Sequence, residues 1–260
     1  MVMQWLYDIP DWLFALLVVG VAIALSAGGF FAARRWLQSR ASPANDVAGS
    51  VLATVGIVYG IVLALIAASA WNNYTDAAGA TAREAGALAD MFRQFDGYPE
   101  PARQRLRAQV RGYVDAVLSD EWPAVQRQRA SERAARARDA LAREWAGFEP
   151  RAERDRVLHE ATGRELTAFL DARRARLTSG WAGLPGPLWT VVVLGAVLTV
   201  CCTYFLIMED ARAHLLMVSA LAAMIGLVIF LILALDHPLW GTQGLRPDAF
   251  LRISPIVRGE

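Results

Sequence analysis

The sequence predicts an all-α membrane protein, with four membrane-spanning helices forming two hairpins that flank a soluble helical bundle. Three observations carry this. Four uncharged runs each approach the roughly 20 residues that a bilayer helix needs. About a hundred residues between the second and third runs repeat apolar side chains at helical spacing. The composition is 55% hydrophobic yet 20% charged, which suits spans joined to one substantial polar region.

The first run, Trp12 to Ala33, stops at Arg34-Arg35. It is too long for a signal peptide and lacks the small-residue cleavage end, so it reads as a helix. The second starts near Val47 and carries no charge until Asp76. The third extends from about Pro187 to Met208, ahead of Glu209-Asp210. The fourth extends from about Leu215 to Leu235 and meets Asp236-His237-Pro238. Short links at 34–46 and 209–214 close the hairpins. The resulting plan is a first hairpin over 1–75, a soluble domain over 76–183, a second hairpin over 184–237 and a C-terminal tail over 238–260.

In the central region, Met91, Phe92 and Phe95 form one apolar stripe. Val110, Tyr113, Val114, Val117 and Leu118 form a second, at the i, i+3, i+4, i+7 positions of a helix face. Pro99 and Pro101 separate the two, and Trp122-Pro123 is expected to end the second. Leu141, Trp145 and Phe148 mark a third helix, closed by Pro150. Leu166, Phe169, Leu170 and Leu177 mark a fourth, leading to Gly180 and a Gly/Pro break at 183–187. Arginines interleaved with acids, among them Glu121, Glu144 and Asp171, read as a solvated, salt-bridged surface.

Several function classes are disfavoured. A net charge of +1 gives no basic footprint for nucleic acid. His159, His214 and His237 are scattered, and the adjacent Cys201 and Cys202 lie inside an apolar run, so no metal-ligand spacing exists. No nucleophile elbow, P-loop or dinucleotide fingerprint occurs. The expectation is therefore no enzyme, no cofactor and no metal. The spans hold no ionisable residue at membrane depth, which argues against a proton-coupled carrier. All 26 basic residues are arginine, which with abundant alanine suggests a GC-rich bacterial genome.

The second span carries the most specific pattern. Gly56 and Gly60 lie one turn apart and permit close backbone approach. Ala53, Ile57, Ile61, Leu65 and Ala68 fall on one slowly rotating stripe. The run ends in Trp71-Asn72-Asn73-Tyr74, suited to the headgroup layer. In a homo-oligomer this stripe would stack rings of apolar side chains into a neck that gates by dewetting. Alternatively, Ile57 and Ile61 pack against neighbouring helices or lipid.

This span resembles the pore-lining second helix of bestrophins, where a glycine in an apolar run precedes a Trp-Asn-x-Tyr exit. Gly60, Trp71, Asn72 and Tyr74 match that pattern in register. The resemblance implies that Ile57 and Ile61 take two positions of the family's neck, with Ala53 at a third where the family carries a larger side chain. Asp236-His237-Pro238-Leu239-Trp240-Gly241 resembles the family's segment after its last helix, through Pro238 and Gly241. The stretch 242–247 has no acid, so calcium gating of the kind seen in animal members is not expected. The resemblance implies an anion-permeable homo-oligomeric channel in a bacterial inner membrane, pentameric or else tetrameric, with its helical domain and both termini cytoplasmic. The other reading is a membrane-anchored helical scaffold without transport. On orientation the charges divide. Asp8 and Asp11 face Arg34, Arg35 and Arg40 across the first span and would place the first link inside, whereas Arg173, Arg174, Arg176, Arg246 and Arg252 favour a cytoplasmic domain.

Overall fold

The computed structural model describes residues 10–37, 45–206, 208–241 and 244–259, and among them there are helices and no strand. The helices are α1 (Asp11–Leu37), α2 (Asn45–Gln94), α3 (Ala102–Ala116), α4 (Trp122–Gln126), α5 (Glu132–Ala146), α6 (Glu153–Trp181), α7 (Gly186–Thr203), α8 (Ala211–Asp236) and α9 (Asp248–Arg258). Two compact units emerge: residues 10–72 with 183–236, and residues 73–182 with 237–259. The 50-residue α2 contributes its first part to one unit and its remainder to the other. The helix thus continues unbroken from the predicted span into the Met91–Phe92–Phe95 stripe. No proline or glycine pair interrupts residues 61–78, and the Ala-rich stretch 77–89 favours helix strongly.

The first unit holds the four apolar runs. Among the described residues, four helices are long and apolar enough to cross a membrane. α1 packs along α8, where Phe14 meets Phe230 edge to face at 5.5 Å. Gly226 permits the approach, since a Cβ there would lie 3.2 Å from the Val19 Cα. α2 packs through Tyr59, Leu63 and Ile66 onto Val192, Ile225 and Ile232. The Tyr59 ring covers Gly195, and its hydroxyl donates to the Val192 carbonyl at 2.7 Å. α7 ends at Thr203, five residues before the predicted Met208. There Tyr204 turns to donate to the Ser26 carbonyl at 2.8 Å, and His214 Nε2 lies 3.0 Å from the Thr203 carbonyl. At the other end the Asp236 carboxylate accepts from the Leu184 amide at 2.6 Å, ahead of α7. The link residues 38–44, including Arg40, lie outside the described residues, as does Asp8.

The second unit is a helical bundle around Leu88, Met91, Phe95, Leu106, Val110, Tyr113, Val117, Leu141 and Phe169, all fully buried. A 3-10 turn at Phe95–Gly97 and the prolines at 99 and 101 end α2 as the sequence predicts. Ser131 caps α5 by accepting the Ala134 amide at 3.0 Å. Trp122-Pro123 does not end the second helix. A π turn, Val117–Glu121, follows α3 and runs into α4, with Pro123 in its first turn, where a missing N–H costs no bond. The segment after α8 is more than a tail, because α9 buries Phe250, Ile253 and Val257 in this core.

Candidate functional site

At 100° per residue, Ile57 and Ile61 lie about 160° from Tyr59, to either side of it. Tyr59, Leu63, Ile66 and Ala70 are buried within the unit. The opposite face, Ala53, Ile57, Ile61, Leu65 and Ala68, is exposed, with Ile57 at 65%, Ile61 at 57% and Leu65 at 67%. These side chains therefore do not pack between helices of their own chain. A Cβ built at Gly56 or Gly60 meets nothing within 4 Å. The exposed faces of α1 and α8 differ in character, presenting large residues such as Leu16, Leu25, Leu216, Met217 and Met224. On α2 the small residues Ala53, Gly60, Ala64 and Ala68 are interspersed with isoleucine and leucine, which favours close approach by another backbone.

At the end of this stretch Trp71 and Asn72 are exposed. Asn73 is engaged elsewhere: its amide donates to the Ser179 and Ala182 carbonyls at 3.2 and 2.9 Å, satisfying the C-terminal end of α6. Tyr74 is half-buried. Pro238 and Gly241 belong to a loop held by the bundle. The Leu245 amide donates to the Pro238 carbonyl at 2.7 Å, and the Gly241 amide to the Gln126 carbonyl at 3.1 Å. Gly241 has φ 64°, the left-handed region that glycine adopts without a Cβ penalty. Leu239 between them is buried against Gly180. Thr242 and Gln243 lie outside the described residues. Among the described residues no cluster of three or more His, Cys, Asp or Glu is arranged to hold a metal.

The sequence reading missed a buried ionic cluster at the centre of the bundle. Glu121 is 1% exposed, not part of a solvated surface: it follows Val117 by four residues and so continues the buried face of Val110, Tyr113, Val114 and Val117. It forms a two-armed pair with Arg173 and accepts from Arg176. Arg176 Nε donates to Glu84 at 2.6 Å, and Tyr113 donates to Glu84 while accepting from Arg173. Two arginines against two glutamates leave the cluster neutral. Burial favours the neutral form of Glu121, but the charges and hydrogen bonds of Arg176 and Arg173 outweigh it and hold its pKa below the ordinary value. Burial, and then the Glu84 charge, push the Tyr113 hydroxyl well above its ordinary range. Arg173 and Arg176 are therefore core residues and do not flank a span, whereas Arg174, Arg246 and Arg252 are exposed. The sequence signals for this were positional: Arg173 and Arg176 share a helical face with Phe169, Glu121 follows Val117 by four residues, and Glu84 precedes Leu88 by four.

A family model described as the Bestrophin-like domain matches residues 7–250. No curated protein sequence matches the chain significantly. Among solved structures, a substituted form of a bacterial bestrophin homolog from Klebsiella pneumoniae is similar with a TM-score of 0.69 at 10% identity, covering 95% of this chain and 99% of that one. A second substituted form of a Klebsiella pneumoniae homolog gives 0.67 at 12%, covering 95% and 98%. A third crystal structure, of a substituted membrane protein, gives 0.68 at 12%, covering 97% and 100%. At these identities the likeness is one of fold.

Proposed function

The chain belongs to the Bestrophin-like family, and on that footing we propose that it forms a homo-oligomeric ion channel in which α2 lines the pore. The carrying observation is the exposed, small-residue face of α2 opposite Tyr59. Copies arranged about an axis would bring Ala53, Ile57, Ile61 and Leu65 into successive apolar rings. Such rings favour dewetting, and their width sets whether ions pass. The assembly is a closed ring, because each copy presents the same face to the axis. We assign five copies, as in the resembling family, with four as the other arrangement. The permeant ions are anions, since the described part of the span contributes no acidic ring. The exposed Trp71 and Asn72 stand at the pore exit. The protein lies in a bacterial inner membrane with the helical unit cytoplasmic, an orientation supported by exposed Arg174, Arg246 and Arg252.

Mass determination of the complex purified in mild detergent, followed by planar bilayer recording, tests this reading. The expected result is a discrete multiple of the 28.4 kDa chain that conducts anions. A monomer at every dilution, or a silent oligomer, would favour a membrane-anchored scaffold.

A further inference from the structure

A groove of about 510 Å³ runs beside α3, lined by Glu100, Arg103, Gln104, Arg107 and Arg111. The three arginines recur every four residues and so share one face of the helix. Like charges at that spacing oppose helix formation unless something offsets them. Arg103 is paired with Glu100 at 2.6 Å, and Arg107 with Asp96. Among the described residues Arg111 has no carboxylate partner. Its Nε donates to the Val257 carbonyl at 2.8 Å, which leaves both terminal nitrogens available. Arg107 and Arg111 hold their guanidinium carbons 4.6 and 5.7 Å from the Phe92 ring centroid. That contact restrains both side chains, so little freedom is lost when they grip a ligand. Arg107 Nε is buried with no hydrogen-bond partner among the described residues.

With Glu100 and Asp96 each pairing one arginine, the three arginines leave an excess of one positive charge, and no apolar residue lines the groove. A hydrocarbon ligand finds no surface there. Arg103 and Arg111 are eight residues apart, about 12 Å along the helix. Three guanidinium groups in a row offer more donors than one halide or one orthophosphate accepts, whereas two or three linked phosphoryl groups supply oxygens to each. Guanidinium groups bind such oxygens in pairs of parallel hydrogen bonds.

We propose that the α3 groove, through Arg103, Arg107 and Arg111, binds a multiply phosphorylated anion. This site is independent of ion conduction, and its occupancy is read without measuring flux. Titration calorimetry of the purified full-length protein with inorganic tripolyphosphate, in low salt, is the direct test, with orthophosphate for comparison. Tripolyphosphate is expected to bind at least about tenfold more tightly than orthophosphate and to weaken steeply with salt. Arg111→Gln is expected to weaken it about tenfold while leaving the melting temperature unchanged. If that variant is unstable, Gln104→Glu at an exposed position places a carboxylate in the groove and should weaken binding similarly. Equal affinity for the two anions, or affinity indifferent to these substitutions, overturns the proposal. Vesicles with and without a doubly phosphorylated inositol lipid separate the sources. Tighter binding to the lipid than to its free headgroup assigns a membrane ligand, and equal binding assigns a soluble one.

Discussion

Glu121 holds two buried arginines in place, so its charge matters more than its shape. Glu121→Gln keeps the volume but leaves Arg173 and Arg176 with one carboxylate between them. Removing one partner of a buried pair costs about 3–5 kcal/mol, and thermal unfolding of the variant should show a loss of that order. Because the folded-state pKa of Glu121 is depressed, its stabilising contribution is complete above the ordinary carboxylate value of 4.5 and is lost as pH falls through the folded value. Melting temperature measured from pH 7 downward should therefore begin to fall below about pH 4.5, and less steeply in Glu121→Gln. This cluster was missed in the sequence for a physical reason. An acid among arginines on an amphipathic helix ordinarily faces water, and that expectation outweighed the position of Glu121 four residues after Val117, on the stripe the apolar spacing already marks. The apolar core residues were legible, since Tyr113, Val114, Val117 and Phe169 are buried where their spacing places them.

Helix α2 presents two apolar faces that behave differently. Tyr59→Ala removes a ring packed on Gly195 together with its hydrogen bond, and should cost about 3–5 kcal/mol, as large aromatic truncations do. Ile57→Ala on the exposed face should cost far less, and urea titrations of the two variants side by side would show it. Equal losses would mean that both faces are packed. Gly180 on α6 gives a second test. A Cβ there would stand 2.1 Å from Cδ1 of Leu239, which is itself fully buried and cannot swing aside. Gly180→Ala should destabilise by about 1–3 kcal/mol, as overpacking does, and adding Leu239→Ala should recover part of that loss. The four apolar runs were readable because length and absence of charge decide them. The continuity of α2 was not, since the Trp-Asn-Asn-Tyr cluster reads as an end. Asn73 instead serves the α6 terminus from within an unbroken helix. The role of residues 248–258 was hidden by Pro255 and a Gly/Pro-rich approach, although Phe250, Ile253 and Val257 fall at the i, i+3, i+7 positions of one helix face.

At the scale of the whole molecule, the account turns on what the exposed face of α2 meets. The Bestrophin-like family and the four apolar helices support a membrane protein, and the proposed pore would account for a small-residue face of α2 that packs on nothing among the described residues. In a ring of copies that face lies at the axis, where replacing isoleucine widens and wets the neck while removing few packing contacts. The decisive measurement is halide flux through vesicles reconstituted with the Ile57→Ala/Ile61→Ala double variant, with its melting temperature taken on the same preparation. The account predicts higher flux than the unsubstituted protein with a melting temperature only slightly lowered. Flux at the level of empty vesicles in both proteins, with a stability loss of several kcal/mol in the variant as for buried isoleucines, would contradict it.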